Sequence, residues 1–309
     1  MASLLELSAA SLKRKLEAAN LPPSSCGVVG AYAVCEALGV PYELSSSHLS
    51  FINTRSHSAS IAAYLRSRSQ AGMTAATLAE LTHHVSRGRI HATFIPSRGS
   101  TAEEIARLLR QFLPQKTVII LTLNLQMMDT DEVDVDQLAD AWHHHPVAGL
   151  GEGGKFRMIY PDAEFSAEEL HRMLDCESVL LVRARDILYQ TTPKGTFETL
   201  LYPRDMGDLE ELRREEDPRW SEFSVVDSLY ELLHDADDYF YEVLSLRNRK
   251  RIRIPAIYTP GITIFVDRND TAARQTLENI TMINQKLPAG QMLSTPTERK
   301  SGNPEEAAK

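Results

Sequence analysis

The chain has 309 residues, room for one large domain or two ordinary ones, and 43% of them are hydrophobic, enough for a sizeable core. A net charge of −9 argues against general nucleic-acid binding, which needs a basic surface. Three cysteines make no disulfide framework and leave at least one thiol free, so a reducing, cytoplasmic setting is expected.

Residues 3–19 carry Leu4, Leu5, Leu12 and Leu16 at helical spacing and read as a short amphipathic helix without the apolar core of a secretory signal. Pro22 and Pro23 then keep the chain extended, and Cys26 opens an apolar run that ends near Gly39. That run is apolar around most of its circumference, so a central, buried helix is predicted. The Ser-rich stretch 43–60 reads as a loop. Helices are predicted from Ile61 to Ser69 and, capped by Thr74, from Thr74 to His84. Arg89 to Ile95 alternates as a strand. Ser100-Thr101-Ala102-Glu103 reads as a capping box opening a helix to Phe112. Thr117 to Leu125 is a near-continuous β-rich run, the mark of a buried strand.

The acidic stretch from Asp129 to Asp140 looks inserted. His145 to Leu150 and Lys155 to Tyr160 flank Gly151-Glu152-Gly153-Gly154, a hairpin signal. Ser166 and Glu169 form a second capping box, for a helix to Leu174, and Ser178 to Arg183 is a strand. The order predicts an α+β fold with a sheet of four or five strands. Beyond residue 200 come a charged stretch, an acidic amphipathic pattern from Phe223 to Leu246, a basic run from Arg247 to Arg253 and a short strand from Ile262 to Val266. The expected division is a catalytic domain over 1–200, a mostly helical extension over 201–285 and a disordered tail over 286–309. No apolar run is long enough to span a membrane.

A thiol at the first turn of a helix has its thiolate favoured by the positive end of the helix dipole. Cys26 is therefore the candidate nucleophile, while Cys35 on the buried helix and Cys176 at a helix end read as structural. A nucleophilic cysteine needs a base, and the base an orienting acceptor. If the hairpin turns at Glu152-Gly153, His143 faces Asp162; a turn at Gly153-Gly154 pairs His145 with Asp162 instead. His143 and His145 share one strand face and His144 points the other way, so the three cannot readily bind one metal ion. The Cys26 N–H is one oxyanion donor, and the Asn20 side chain is placed to supply a second or to serve as a cap.

The order Cys-Gly at a buried helix start, His-x-x-Pro-Val-x-Gly-Leu, then Asp a hairpin later resembles the papain-like cysteine enzymes. More narrowly it resembles the phytochelatin synthase family, the glutathione gamma-glutamylcysteinyltransferases. Asn20-Leu-Pro-Pro-Ser-Ser-Cys26-Gly27 stands where that family has Gln, five residues and the nucleophilic Cys-Gly. Ala71-Gly-Met-Thr, the capped segment at Ser100, and His143-His-His-Pro146-Val-Ala-Gly149-Leu are similar to further family segments, and Phe165 falls at the family's Phe spacing. The likeness covers about residues 20–185. It implies a papain-like fold, Cys26 as nucleophile, His143 as base, Asp162 as orienter and Asn20 as oxyanion donor. It also implies transfer of a gamma-glutamylcysteinyl group between small thiol peptides. No tightly bound cofactor is implied; a heavy-metal ion or a metal–thiolate complex enters as substrate. Three positions depart from the family: Asn20 replaces Gln, Pro161 takes the Asp position one place before Asp162, and Glu164 replaces an Arg that helps hold the substrate. Those departures keep two rivals in view, a papain-like peptidase and a non-catalytic scaffold with the same fold.

Overall fold

The computed structural model describes residues 11–12, 21, 24–54, 60–128, 141–159, 162–184, 186–187, 207–232, 251–270 and 275. Of the helix expected over 3–19 only residues 11–12 are described, and both are helical; Asn20, the acidic stretch 129–140, residues 233–250 and the tail over 286–309 lie outside the described residues. What is described is a mixed α and β arrangement built on an antiparallel sheet.

Helix α1 (Cys26–Ala37) is buried on nearly all sides, as its apolar pattern predicts. It stops where Gly39 takes φ +65°, a left-handed value that glycine reaches without a Cβ clash. A 3₁₀ turn (Ser46–Phe51) precedes α2 (Ile61–Gln70) and α3 (Ala75–Val85), the latter capped by Thr74, whose hydroxyl accepts the Thr77 N–H. Strand β1 (Ile90–Pro96) leads to α4 (Ala102–Phe112). The capping box of α4 uses Thr101 and Glu104, one residue later than the Ser100–Glu103 reading. Strands β2 (Thr117–Asn124) and β3 (Trp142–Leu150) follow, then β4 (Phe156–Met158) and β5 (Ala163–Phe165). Helix α5 (Ala167–Leu174) carries the Ser166–Glu169 box as read from the sequence. Beyond it come β6 (Val179–Arg183), α6 (Gly207–Leu212), α7 (Arg219–Glu222), a helical stretch over 225–232, β7 (Arg251–Pro255) and β8 (Gly261–Asp267).

Six strands pair in the order β1-β8-β2-β3-β4-β5, and β6 pairs with β7 as a separate ribbon; every pairing is antiparallel. Strand β8 is hydrogen-bonded to both β1 and β2. This corrects the expected boundary at residue 200: the C-terminal strand is an interior strand of the main sheet. The alternation of β2 sends Val118 and Ile120 to one face, with α1 and α3, and Ile119, Leu121 and Leu123 to the other, with α4 and α5. A third core joins α2, α6, α7 and the stretch 225–232 to the β6–β7 ribbon, with Trp142 and Tyr258 at its edge.

Candidate active site

Cys26 is the first residue of α1 and is half-buried, whereas Cys35 and Cys176 are buried. Burial pushes both of those thiols up to about 12, so neither is a thiolate near neutral pH. The Cys26 side chain borders a small cleft of about 30 Å³, whose walls include Ser24, Arg68, Trp142 and Tyr258. That is space for roughly one water molecule.

The cleft walls are fixed by bonds of their own. The Trp142 and Tyr258 rings stack with centroids 5.4 Å apart and planes 3° from parallel. Trp142 Nε1 donates to the Val179 carbonyl at 2.8 Å, and Tyr258 Oη donates to the Ala71 carbonyl at 2.9 Å. Gly72, at φ +95°, makes room for this: a Cβ there would lie 1.7 Å from the Tyr258 hydroxyl. The N-terminal turn of α1 is held as closely, since a Cβ on Gly27 would meet Met73 Sδ at 2.2 Å.

The three histidines divide between the two faces of β3. In the pairing with β2, His144 stands opposite Thr122, while His143 and His145 stand opposite Leu123 and Leu121. Directly opposed residues share a face. His144 therefore points to the α1 side, and His143 and His145 point to the α4–α5 side. The β3 residue that lines the Cys26 cleft is Trp142, next to His143 and on the opposite face from it.

His144 is held at both ring nitrogens, Nε2 to the Met73 carbonyl at 2.9 Å and Nδ1 to Thr122 Oγ1 at 3.0 Å. A carbonyl only accepts, so Nε2 carries the proton, and in the neutral ring Nδ1 accepts the Thr122 hydroxyl proton. Burial lowers this imidazole to about 4. His145 is 1% exposed and lies edge-on to Phe165, with centroids 6.4 Å apart. Burial, and then the neighbouring His143 and His144, lower it to about 3.

Asp162 is exposed and does not face β3. The turn over 152–154, with Gly153 at φ +64° and Gly154 at +76°, pairs Leu150 with Phe156 and Gly149 with Arg157. A bulge then shifts the register so that Val147 faces Met158. Strand β4 ends there, and the chain returns as β5, with Ala163 facing Met158 from the other edge. Asp162, just before Ala163, thus lies across β4 from β3. The expected facing of His143 and Asp162 assumed a long second strand, and β4 is only three residues long.

Of the four residues singled out from the sequence, Cys26 stands at a helix start beside a cleft, His143 lies on the sheet face away from the Cys26 helix, Asp162 is exposed just before β5, and Asn20 lies outside the described residues. Arg68, Trp142 and Tyr258 were missed because nothing local in the sequence marks them as walls of one cleft. The segment Ala71-Gly72-Met73 did stand out, and it supplies two carbonyls to the site. No family model and no curated protein matches this chain.

Proposed function

We propose that the protein is a cysteine-dependent acyl-transfer enzyme of papain-like organisation. In this reading Cys26 takes the acyl group of glutathione or a related gamma-glutamyl thiol peptide. One observation carries it: of three thiols, Cys26 alone is accessible, at the first turn of a buried twelve-residue helix and beside a cleft that Arg68 also lines. The helix N-terminus and a guanidinium both favour a thiolate over a thiol. Arg68 also suits a donor that carries carboxylates. The cleft admits about one water, so a peptide donor lies across its mouth, with the acyl carbon at the sulfur and water carrying the proton to the leaving amine. His143, on the sheet face away from the Cys26 helix, and Asp162 take no part in this version of the chemistry.

A second reading is favoured by that same placement: a scaffold that keeps the architecture and has given up catalysis. Incubation with glutathione and cadmium, followed by mass spectrometry, decides between them. Gamma-Glu-Cys oligomers or free glycine from the native chain, absent from Cys26→Ser, support transfer. No such product, but Cys26 modified by a peptide-based electrophile, redirects the reading to a peptidase. Native and Cys26→Ser protein behaving alike in both assays leaves the scaffold.

A further inference from the structure

We propose that His143 and His145 together bind a divalent transition-metal ion of the zinc class on the α4–α5 face of the sheet. The two residues are alternate members of β3 and share its face, opposite Leu123 and Leu121. Their ring centroids lie 5.4 Å apart with planes inclined at 57°. Two imidazoles on one tetrahedral ion, with metal–nitrogen bonds of about 2.0 Å, have centroids roughly 5 Å apart. The observed pair is thus within a few tenths of an ångström of that spacing.

His145 supplies the second observation. It is 1% exposed, and neither ring nitrogen has a hydrogen-bond partner among the described residues. A buried polar group without a partner carries an uncompensated desolvation penalty, which a bond to an ion removes. His143 is half-buried and gives an ion a route from solvent. His144 is excluded, pointing the other way and bonded to Thr122 and Met73. Among the described residues no third His, Cys, Asp or Glu completes a cluster. The site therefore uses two protein ligands with water at the remaining positions, and its ion is exchangeable. It lies on the other face from Cys26 and stands or falls independently of the acyl-transfer reading.

The test is a calorimetric Zn²⁺ titration of the metal-stripped full chain. One ion per chain is expected, with binding at least tenfold weaker in His143→Ala and His145→Phe and unchanged in Cys26→Ser. In parallel, the imidazole ¹⁵N resonances of His143 and His145 in the native chain move on adding Zn²⁺ while those of His144 stay. The spectra decide the matter even if His145→Phe fails to fold. Absence of uptake, uptake indifferent to both histidine variants, or shifts confined to other histidines overturns the proposal.

Discussion

At the scale of single residues, the place of Cys26 at a helix start goes with the apolar run that follows it, a local matter. Period-two alternation separates His144 from its neighbours but does not say which face the Cys26 helix covers; that depends on strands remote in sequence. The geometry predicts that Cys26→Ser abolishes any acyl transfer while His143→Ala stays within about threefold of the native rate, measured as glycine release; a loss of about 10²-fold or more in His143→Ala would instead mark it as a general base. Thr122→Val strips the hydroxyl from His144 Nδ1 and leaves that nitrogen buried and unpaired, for an expected loss of about 1–3 kcal/mol in chemical denaturation. Acid acts through the same residues. His144 and His145 are neutral when folded, and unfolding returns each to its ordinary value of 6.5. The unfolded chain then binds the extra protons, so stability is full above that pH and falls as pH drops toward about 4 for His144 and about 3 for His145. Each contributes a slope on the order of 1 kcal/mol per pH unit inside its window, to be read from urea midpoints between pH 7 and 5. Midpoints flat across that range would show that the two rings are not held neutral.

At the scale of elements, most helices were legible and most departures lie where a strand is short or bulged. The Ser166–Glu169 box is where the sequence put it, while Thr101 rather than Ser100 caps α4. Ser100 and Thr101 each have a Glu three places on, Glu103 and Glu104, so the local pattern does not choose between them. The hairpin glycines announced a turn but not the bulge beyond it or the return strand β5. Strand β7 lay within a run read as basic, yet Arg251-Ile252-Arg253-Ile254 also has the alternation of a half-buried strand, with Ile252 and Ile254 inward. Arg253 reaches outward to Glu177 and over the Phe223 ring. The link between α2 and α3 is the tightest local fit. Gly72→Ala adds a methyl at φ +95° into the Tyr258 hydroxyl, and the expected loss is about 2–4 kcal/mol. It should also loosen the Trp142–Tyr258 stack and alter the rate at which Cys26 reacts with iodoacetamide; a reaction rate equal to the native one would detach that stack from the thiol.

For the whole molecule, the α+β class was evident from the succession of patterns, but the partition of the chain was not. Ile262 to Val266 was seen as a strand and assigned to an extension, because sequence order carries no information on which strands an apolar run will join. It joins β1 and β2, closing the sheet between them. A fragment ending at residue 200 is therefore expected to show no cooperative unfolding and to aggregate, and adding back a peptide that covers 251–270 should restore solubility; a soluble, cooperatively folding fragment would restore the two-domain division. The same placement bears on biosynthesis. A ribosome delivers β1 and β2 well before the segment that must lie between them, and until then each displays an unsatisfied edge to solvent or to other nascent chains. Co-translational assembly of the sheet has to wait for residues 261–267, so synthesis of this protein should depend on holding chaperones more heavily than its size alone would require.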